Sequence, residues 1–313
     1  MTGTAGPIVL CFGVVDEADI IGAFIEYHLG RGVDALVATD VGSTDGTLDI
    51  LSRYEASGRL HLIRLHDPAT AALNHDIPGG MLEAARDRYR AEWCLFCDAD
   101  EFWVFPGEDA HAYFSSAANP IVVFPRCNMV PAREAGSLRI AHFSRFDLVV
   151  RRPLEFFYDL SRRDEADGAQ RLLRDYAPDI LRVIAPKVAA RVSAVQSVAP
   201  GFHHAAAADP AVATAREEIG YIAHFPTRSL PQWRHRATLI ERCFDANPLE
   251  TAPADYVSRH WVRLAVLFKH NLIEADFDRQ VLSEAEIDAR LREGVLQRDD
   301  TVARRLARLA WTR

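Results

Sequence analysis

Trp93-Cys94-Leu95-Phe96-Cys97-Asp98-Ala99-Asp100-Glu101-Phe102-Trp103 is a short apolar run that ends abruptly in three carboxylates within four residues. A run of about five apolar residues has the length of a buried strand, and in an open α/β sheet ligands gather beyond the carboxyl ends of the strands. Side chains two apart on an extended chain share a face, so Asp98 and Asp100 converge while Ala99 points away. Carboxylates this close repel one another unless a cation or hydrogen-bond donors offset them. A hard divalent ion, Mg²⁺ or Mn²⁺, is the simplest answer. The competing reading is a strand that ends in a solvated acidic turn, with Asp100 or Glu101 capping the next helix.

The residues upstream alternate strand and helix signals, the pattern of a mostly parallel sheet with helices on both faces. Pro7 to Val15 reads as a buried first strand, followed by a helix capped by Asp16 and carrying Ile20, Ile21, Phe24 and Ile25 at helical spacing. Ala35 to Thr39 is a second strand. The loop Asp40-Val41-Gly42-Ser43-Thr44-Asp45-Gly46-Thr47 leads into a helix with Leu48, Leu51 and Tyr54. Leu60 to Leu65 is a third strand, then comes an irregular loop with Pro68, Pro78, Gly79 and Gly80, and a helix from Met81 to Tyr89 precedes the acidic strand. Beyond residue 120 a strand is expected at Ile121 to Pro125, and Arg162 to Arg174 is charged enough to be exposed. The chain is helical in character from about residue 230, with Ser283 and Glu286 spaced as a capping box.

With 313 residues, 49% hydrophobic and 26% charged, the chain has ample core for a large α/β domain. A net charge of -8 argues against a nucleic-acid partner. Lys187 and Lys269 are the only lysines, so nearly all 36 basic residues are arginine. The five scattered cysteines read as free thiols, with Cys94 and Cys97 on opposite faces of one strand. A reducing, cytoplasmic setting is the expectation, with no signal peptide and no membrane-spanning run.

The order of Asp16-Glu17-Ala18-Asp19-Ile20-Ile21, Asp40-x-x-Ser43-Thr44-Asp45-Gly46-Thr47 and Asp98-Ala99-Asp100-Glu101-Phe102 resembles the family 2-like glycosyltransferases of the GT-A fold. Within them the chain looks closest to the branch with an element like Glu26-Tyr27-His28-Leu29-Gly30 and an Asp-x-Asp-Glu-Phe motif. The resemblance covers about the first 105 residues. It implies a Rossmann-like, mostly parallel mixed sheet flanked by helices: residues 1–105 would form the nucleotide-sugar-binding half, 106–235 the acceptor-binding half and 236–313 a helical C-terminal extension. It also implies a nucleotide-diphosphate sugar donor, a saccharide or glycoconjugate acceptor and a divalent ion, Mn²⁺ or Mg²⁺. Carried over residue by residue, Asp100 holds the metal, and Asp98 touches the metal shell or the ribose. Asp40 contacts the base or ribose, Glu17 lies at the pocket lip, and Arg86 is near the nucleotide. The family commonly has Asn where this chain has Asp16. Asp45, in the same loop, belongs with the nucleotide contacts or simply caps its helix.

In the second half, His224-Phe225-Pro226-Thr227-Arg228-Ser229 resembles a late element of the same branch, which makes His224 a third metal ligand and offers Arg228 to the diphosphate. Pro186-Lys187 and Phe202-His203-His204 resemble further family elements, with Lys187 and His203 placed toward acceptor or diphosphate. An inverting transfer needs a base near the acceptor hydroxyl. Asp147, in Phe143-Ser144-Arg145-Phe146-Asp147, is one candidate through burial among apolar neighbours, ahead of Glu155 and Asp159. Glu101 is the other, with orientation of the metal motif as its competing role. The basic amphipathic run Val302 to Trp311 either docks on its own domain or makes a weak peripheral contact with an anionic membrane. Two other functions stay open: a phosphohydrolase of the haloacid dehalogenase kind, which also starts from Asp-x-Asp after a strand, and a silent sugar-nucleotide or glycan binder on the same scaffold.

Overall fold

The computed structural model describes residues 5–65, 76–107, 109–131, 146–246 and 259–309. Two compact units emerge. The first comprises Met1–Arg126, Ala185–His224 and Arg305–Arg313, and the second Cys127–Ile184 and Phe225–Arg304. This division differs from the linear one expected at residues 105 and 235, because late strands return to complete the first unit's sheets.

In the first unit, β1 (Ile8–Val14), β2 (Ala35–Val41), β3 (Leu60–Leu65) and β4 (Trp93–Asp98) are parallel neighbours in the order β3-β2-β1-β4. β9 (Lys187–Arg191) then adds antiparallel to both β4 and β6 (Ile121–Phe124), and β12 (Thr214–Arg216) closes the seven-stranded sheet. The chain leaves β1 in one direction and comes back to β4 on its other side, a topological switch point of the kind that creates a crevice at the strand ends. The near-continuous burial of β1 and β4 follows from cover on both faces. Val9, Cys11, Val37, Cys94 and Phe96 pack with Met81, Leu82 and Ala85, which lie on α3 (Ile77–Tyr89). On the other face Phe12 meets Phe24 edge-on at 4.8 Å, on α1 (Ile21–Leu29).

Several local expectations shift. Asp16 does not cap α1; the N-cap is Ile20, and Asp16 sits upstream in the left-handed region at φ 50°. Pro78, Gly79 and Gly80 lie within the first turns of α3 instead of in a loop, where the missing proline N–H costs no helical bond. Pro68 lies outside the described residues. α2 (Thr47–Ala56) starts after Gly46 at φ 101°, a conformation that favours glycine. β5 (Glu101–Val104) pairs antiparallel with β13 (Tyr221–His224). β10 (Val195–Val198) pairs with β11 (Ala205–Ala207), and α4 (Ala110–Ser116) is capped by the Asp109 side chain. β7 (Arg126–Asn128) carries the chain out of this unit.

The second unit pairs β8 (Leu148–Val150) with β14 (Leu296–Arg298). Its helices are α5 (Ala166–Arg174), α6 (Leu230–Ala246), α7 (Arg259–Lys269), α8 (Ile273–Gln280) and α9 (Glu284–Arg292). α9 opens on the expected Ser283/Glu286 capping box. The charged stretch around α5 is exposed only on one side, since Ala169, Leu172 and Leu173 enter the core with Trp233, Leu267 and Phe277. Buried Asp276 accepts from Arg263, from Trp233 Nε1 at 3.1 Å and from Gln280 Nε2 at 3.1 Å, so the charge is compensated as burial requires. The terminal helix α10 (Thr301–Arg308) buries Val302 and Leu306, and in the first unit Arg305 donates to the Gly30 carbonyl. These two apolar side chains are thus covered within the chain; Trp311 lies outside the described residues.

Candidate active site

β4 stops at Asp98, Ala99 and Asp100 form a turn, and β5 resumes at Glu101. The antiparallel register of β13 sets His224 opposite Glu101, which is how a residue more than a hundred positions later reaches the acidic turn. His224 Nε2 lies 3.6 Å from Asp100 Oδ2, longer than a direct hydrogen bond and suited to two ligands of one ion. Asp100, Glu101 and His224 each offer a ligand atom within 4.8 Å of the others. Two carboxylates and an imidazole are a donor set that fits Mn²⁺.

Asp98 is committed elsewhere. Lys187 Nζ donates to its Oδ2 at 2.7 Å, and Arg126 Nη1 stands 3.8 Å from the same oxygen. Asp98, expected with Asp100 and His224 as a metal ligand, is not among the three groups that cluster, and its Oδ2 is held by a buried ammonium. Desolvation disfavours the charged form of Asp98, but Lys187 outweighs it and, with Arg126, holds the carboxyl below its ordinary value. Lys187, itself 1% exposed, also donates to the Gly201 carbonyl at 3.0 Å and lies 5.2 Å from the Phe202 ring centroid.

Glu101 is wholly buried, with Oε1 taking Arg126 Nη1 at 2.5 Å and Oε2 taking the Asp98 N–H at 2.9 Å, with Lys187 Nζ 3.5 Å away. A carboxylate so enclosed is not placed to receive a proton from an acceptor hydroxyl, and the expectation of Glu101 as base gives way to its other role, orienting the acidic turn. Arg126 is the residue that sequence reasoning missed. A lone arginine in Phe124-Pro125-Arg126 carries no motif, and only the structure brings it against Asp98 and Glu101.

The β1 and β2 ends form the neighbouring part of the site. Asp16 Oδ1 accepts from the backbone N–H groups of Thr44 at 2.5 Å and Asp45 at 3.2 Å, and its own N–H donates to Ser43 Oγ at 2.9 Å. Asp45 accepts from Thr47 Oγ1 at 2.6 Å and from the Ala18 N–H at 3.0 Å, and the Glu17 N–H donates to Thr47 Oγ1 at 2.8 Å. Asp16 and Asp45 thus staple the two loops, and the N-cap of α2 is Gly46, without a side-chain cap, while Glu17 is partly buried beside them. Asp40, 2% exposed, accepts from the Gly42 and Ser43 N–H groups through Oδ1 at 3.0 and 3.1 Å. Its Oδ2 is buried without a hydrogen-bond partner among the described residues, an uncompensated acceptor of the kind that binding sites retain. A cleft of about 240 Å³ lined by Asp40, Gly42, Ser43, Leu48, Arg64 and Leu65 opens beside it.

The helix before this site braces it. His28 is fully buried; its Nδ1 meets the Phe24 carbonyl at 2.8 Å and its Nε2 accepts the Trp103 N–H at 3.1 Å, while Tyr27 Oη donates to the Trp103 carbonyl at 3.2 Å. Burial pushes the His28 pKa down to about 3, so the ring is neutral and fixed as the Nδ1–H tautomer.

Three further expected residues make other contacts. Arg86 is exposed on α3 in an ion pair with Asp87 at 2.8 Å, which is its surface-helix alternative. Asp147 belongs to the second unit, where it is 42% exposed and paired with Arg298 at 2.6 Å; the burial that recommended it as a base is missing. Residues 143–145 before it lie outside the described residues. Arg228, also in the second unit, is 3% exposed and donates to the Phe225 carbonyl at 2.9 Å.

No match to the chain is found among the curated proteins. Among solved structures, S. aureus TarS 1–349 shares 12% identity over 87% of this chain and 70% of its own, with a TM-score of 0.38. The mannosyltransferase PcManGT from Pyrobaculum calidifontis, held with GDP-Man and Mn²⁺, shares 15% over 93% and 76%, at 0.33. The glucosyl-3-phosphoglycerate synthase from Mycobacterium tuberculosis, held with Mn²⁺, UDP and glucosyl-3-phosphoglycerate, shares 19% over 76% and 80%, at 0.32. These likenesses are remote. The sequence profile of glycosyltransferase family 92, in contrast, matches residues 6–234 and so spans both the acidic turn and His224. The chain belongs to glycosyltransferase family 92.

Proposed function

We propose that this protein moves a sugar from a nucleoside-diphosphate donor to a hydroxyl of a saccharide or glycoconjugate acceptor, in a metal-dependent GT-A site. The observation that carries the reading is the convergence of Asp100, Glu101 and His224 beyond the β4 end, in the same unit as the Asp40 cleft. Asp100 and His224 would hold the divalent ion, Mn²⁺ or Mg²⁺, with Glu101 behind them. A bound ion supplies Lewis-acid neutralisation of the departing diphosphate. The chain's own part is electrostatic: Lys187 and Arg126 set cationic charge around Asp98, and the buried Glu101 keeps the turn from splaying. Asp40 Oδ2 receives an N–H of the nucleobase.

The family assignment displaces the phosphohydrolase alternative. Five free cysteines support a reducing compartment such as the cytoplasm, and no helix among the described residues is long and apolar enough to cross a membrane. The test is release of nucleoside diphosphate from UDP- and GDP-sugars, with and without Mn²⁺, over a set of glycan acceptors. Metal-dependent release that Asp100→Ala and His224→Ala each cut at least a hundredfold supports the reading. Binding with no release by the wild type under any condition would leave the silent sugar-nucleotide binder standing.

A further inference from the structure

His203 stands in a corner that the donor-site reading does not use. Its Nδ1 meets the Pro186 carbonyl at 2.7 Å. A carbonyl only accepts, so Nδ1 carries the proton and Nε2 is an acceptor. No described residue donates to Nε2. Burial, with the Lys187 charge beside it, lowers the His203 pKa to about 4, which keeps the ring neutral at physiological pH. A neutral acceptor repels phosphate oxygens, so of the two expectations for His203, acceptor or diphosphate, the diphosphate is disfavoured and a hydroxyl donor fits.

The corner is deliberately shaped. Gly201 and Phe202 both have positive φ, 76° and 63°, and a left-handed conformation at a bulky residue is sustained only where the surroundings impose it. Lys187 grips the turn through the Gly201 carbonyl and grips Asp98 through Oδ2. A Cβ on Gly201 would lie 2.9 Å from His203 Nε2, so the imidazole nitrogen is packed beside the same turn. Asp98, with 46% of its side chain exposed, has its Oδ1 without a donor among the described residues. Two acceptors, His203 Nε2 and Asp98 Oδ1, thus flank one lysine-held turn.

Position along the sheet says which hydroxyl they meet. From β2, which ends at the Asp40 cleft, the neighbours run β1, β4, β9; three strand spacings amount to about 14 Å. β9 is antiparallel, so its first residue, Lys187, lies at the same sheet edge as Asp98. A donor laid from the Asp40 cleft across the acidic turn presents base and ribose first, then diphosphate, then sugar. We infer that His203 Nε2, together with Asp98 Oδ1, accepts hydrogen bonds from hydroxyls of the transferred sugar and so selects the donor sugar. This inference rests on the nucleotide-sugar reading of the same site.

The experiment is calorimetric binding of UDP, UDP-glucose, UDP-galactose, GDP and GDP-mannose, with Mn²⁺, to the wild type, His203→Phe and His203→Gln. The expected result is that His203→Phe binds the free diphosphate as the wild type does and binds the preferred nucleotide sugar about tenfold more weakly, the worth of one hydrogen bond to a hydroxyl. His203→Gln, whose amide oxygen reaches the Nε2 position, restores most of that loss, which a merely structural role would not allow. Equal affinity of His203→Phe and wild type for the sugar donors overturns the inference, as does equal weakening for diphosphate and sugar, which would place His203 on ribose or phosphate. A wild type that binds none of the five overturns the donor reading itself, and this inference with it.

Discussion

Glu101 concentrates the physics of the site at the scale of one residue. It is a carboxylate at 0% exposure that survives because Arg126 and Lys187 face it and the Asp98 N–H donates to it. Removing one partner from a buried ionic group costs about 3–5 kcal/mol, because the remaining charges are left uncompensated. Glu101→Gln should therefore lower the urea unfolding free energy by about that amount, while Asp98→Asn, at a half-exposed position, should cost far less. Asp40 makes a second prediction. Its orphan Oδ2 accepts from a nucleobase N–H, so Asp40→Asn, which places a donor there, should weaken binding of UDP and GDP about tenfold by titration calorimetry with little change in stability. That Asp40, Asp98 and Asp100 stand at or just beyond strand ends was legible in the sequence. Arg126 was not, and neither was the capture of Asp98 by Lys187, because pairing across β4 and β9 depends on a return of the chain that no local pattern encodes.

At the scale of elements, α1 explains why Tyr27 and His28 stand together. They grip both polar backbone atoms of Trp103 on β5, and His28 stacks on Phe102 at 5.8 Å. The helix therefore anchors the strand that follows the acidic turn. Replacing His28 with Phe keeps the ring's bulk but strips the Trp103 N–H of its acceptor and the Phe24 carbonyl of a donor; each buried unsatisfied group costs about 1–3 kcal/mol. The pH dependence has a defined sign. The folded-state pKa of His28, about 3, lies below its ordinary 6.5, so the unfolded chain binds the proton first. This contribution is fully present above about pH 6.5 and is lost as the pH falls toward 3. Wild type minus His28→Phe stability, from urea melts at stepped pH, should shrink across that window; a difference constant from pH 7 to 4 would contradict the assignment. The strands β1 to β4 and the capping box of α9 followed from apolar runs and end signals. The start of α1 did not. Asp16 looks like a cap, but its side chain is drawn away to the Thr44 and Asp45 N–H groups by a contact between loops.

At the scale of the whole molecule, the chain visits the first unit, leaves after Arg126, returns from Ala185 to His224 and comes back again at Arg305. Linear boundaries at 105 and 235 miss this, because sheet completion by β9 and β13 is a long-range event. The same return delivers Lys187, His203 and His224 to the unit that holds the acidic turn. The family match from residue 6 to 234 spans the first excursion and the return, Ala185–His224, that carries these three residues. A metal-dependent nucleotide-sugar site at the β4 end is tested by thermal melting with a panel of nucleoside diphosphates. The wild type and Asp100→Ala are each melted with and without Mn²⁺. A ligand present at a hundred times its dissociation constant stabilises the folded state by about 2.7 kcal/mol. One diphosphate is expected to raise the melting temperature of the wild type only when Mn²⁺ is present, and Asp100→Ala to abolish the shift. An equal shift without metal, or one that Asp100→Ala retains, would contradict it.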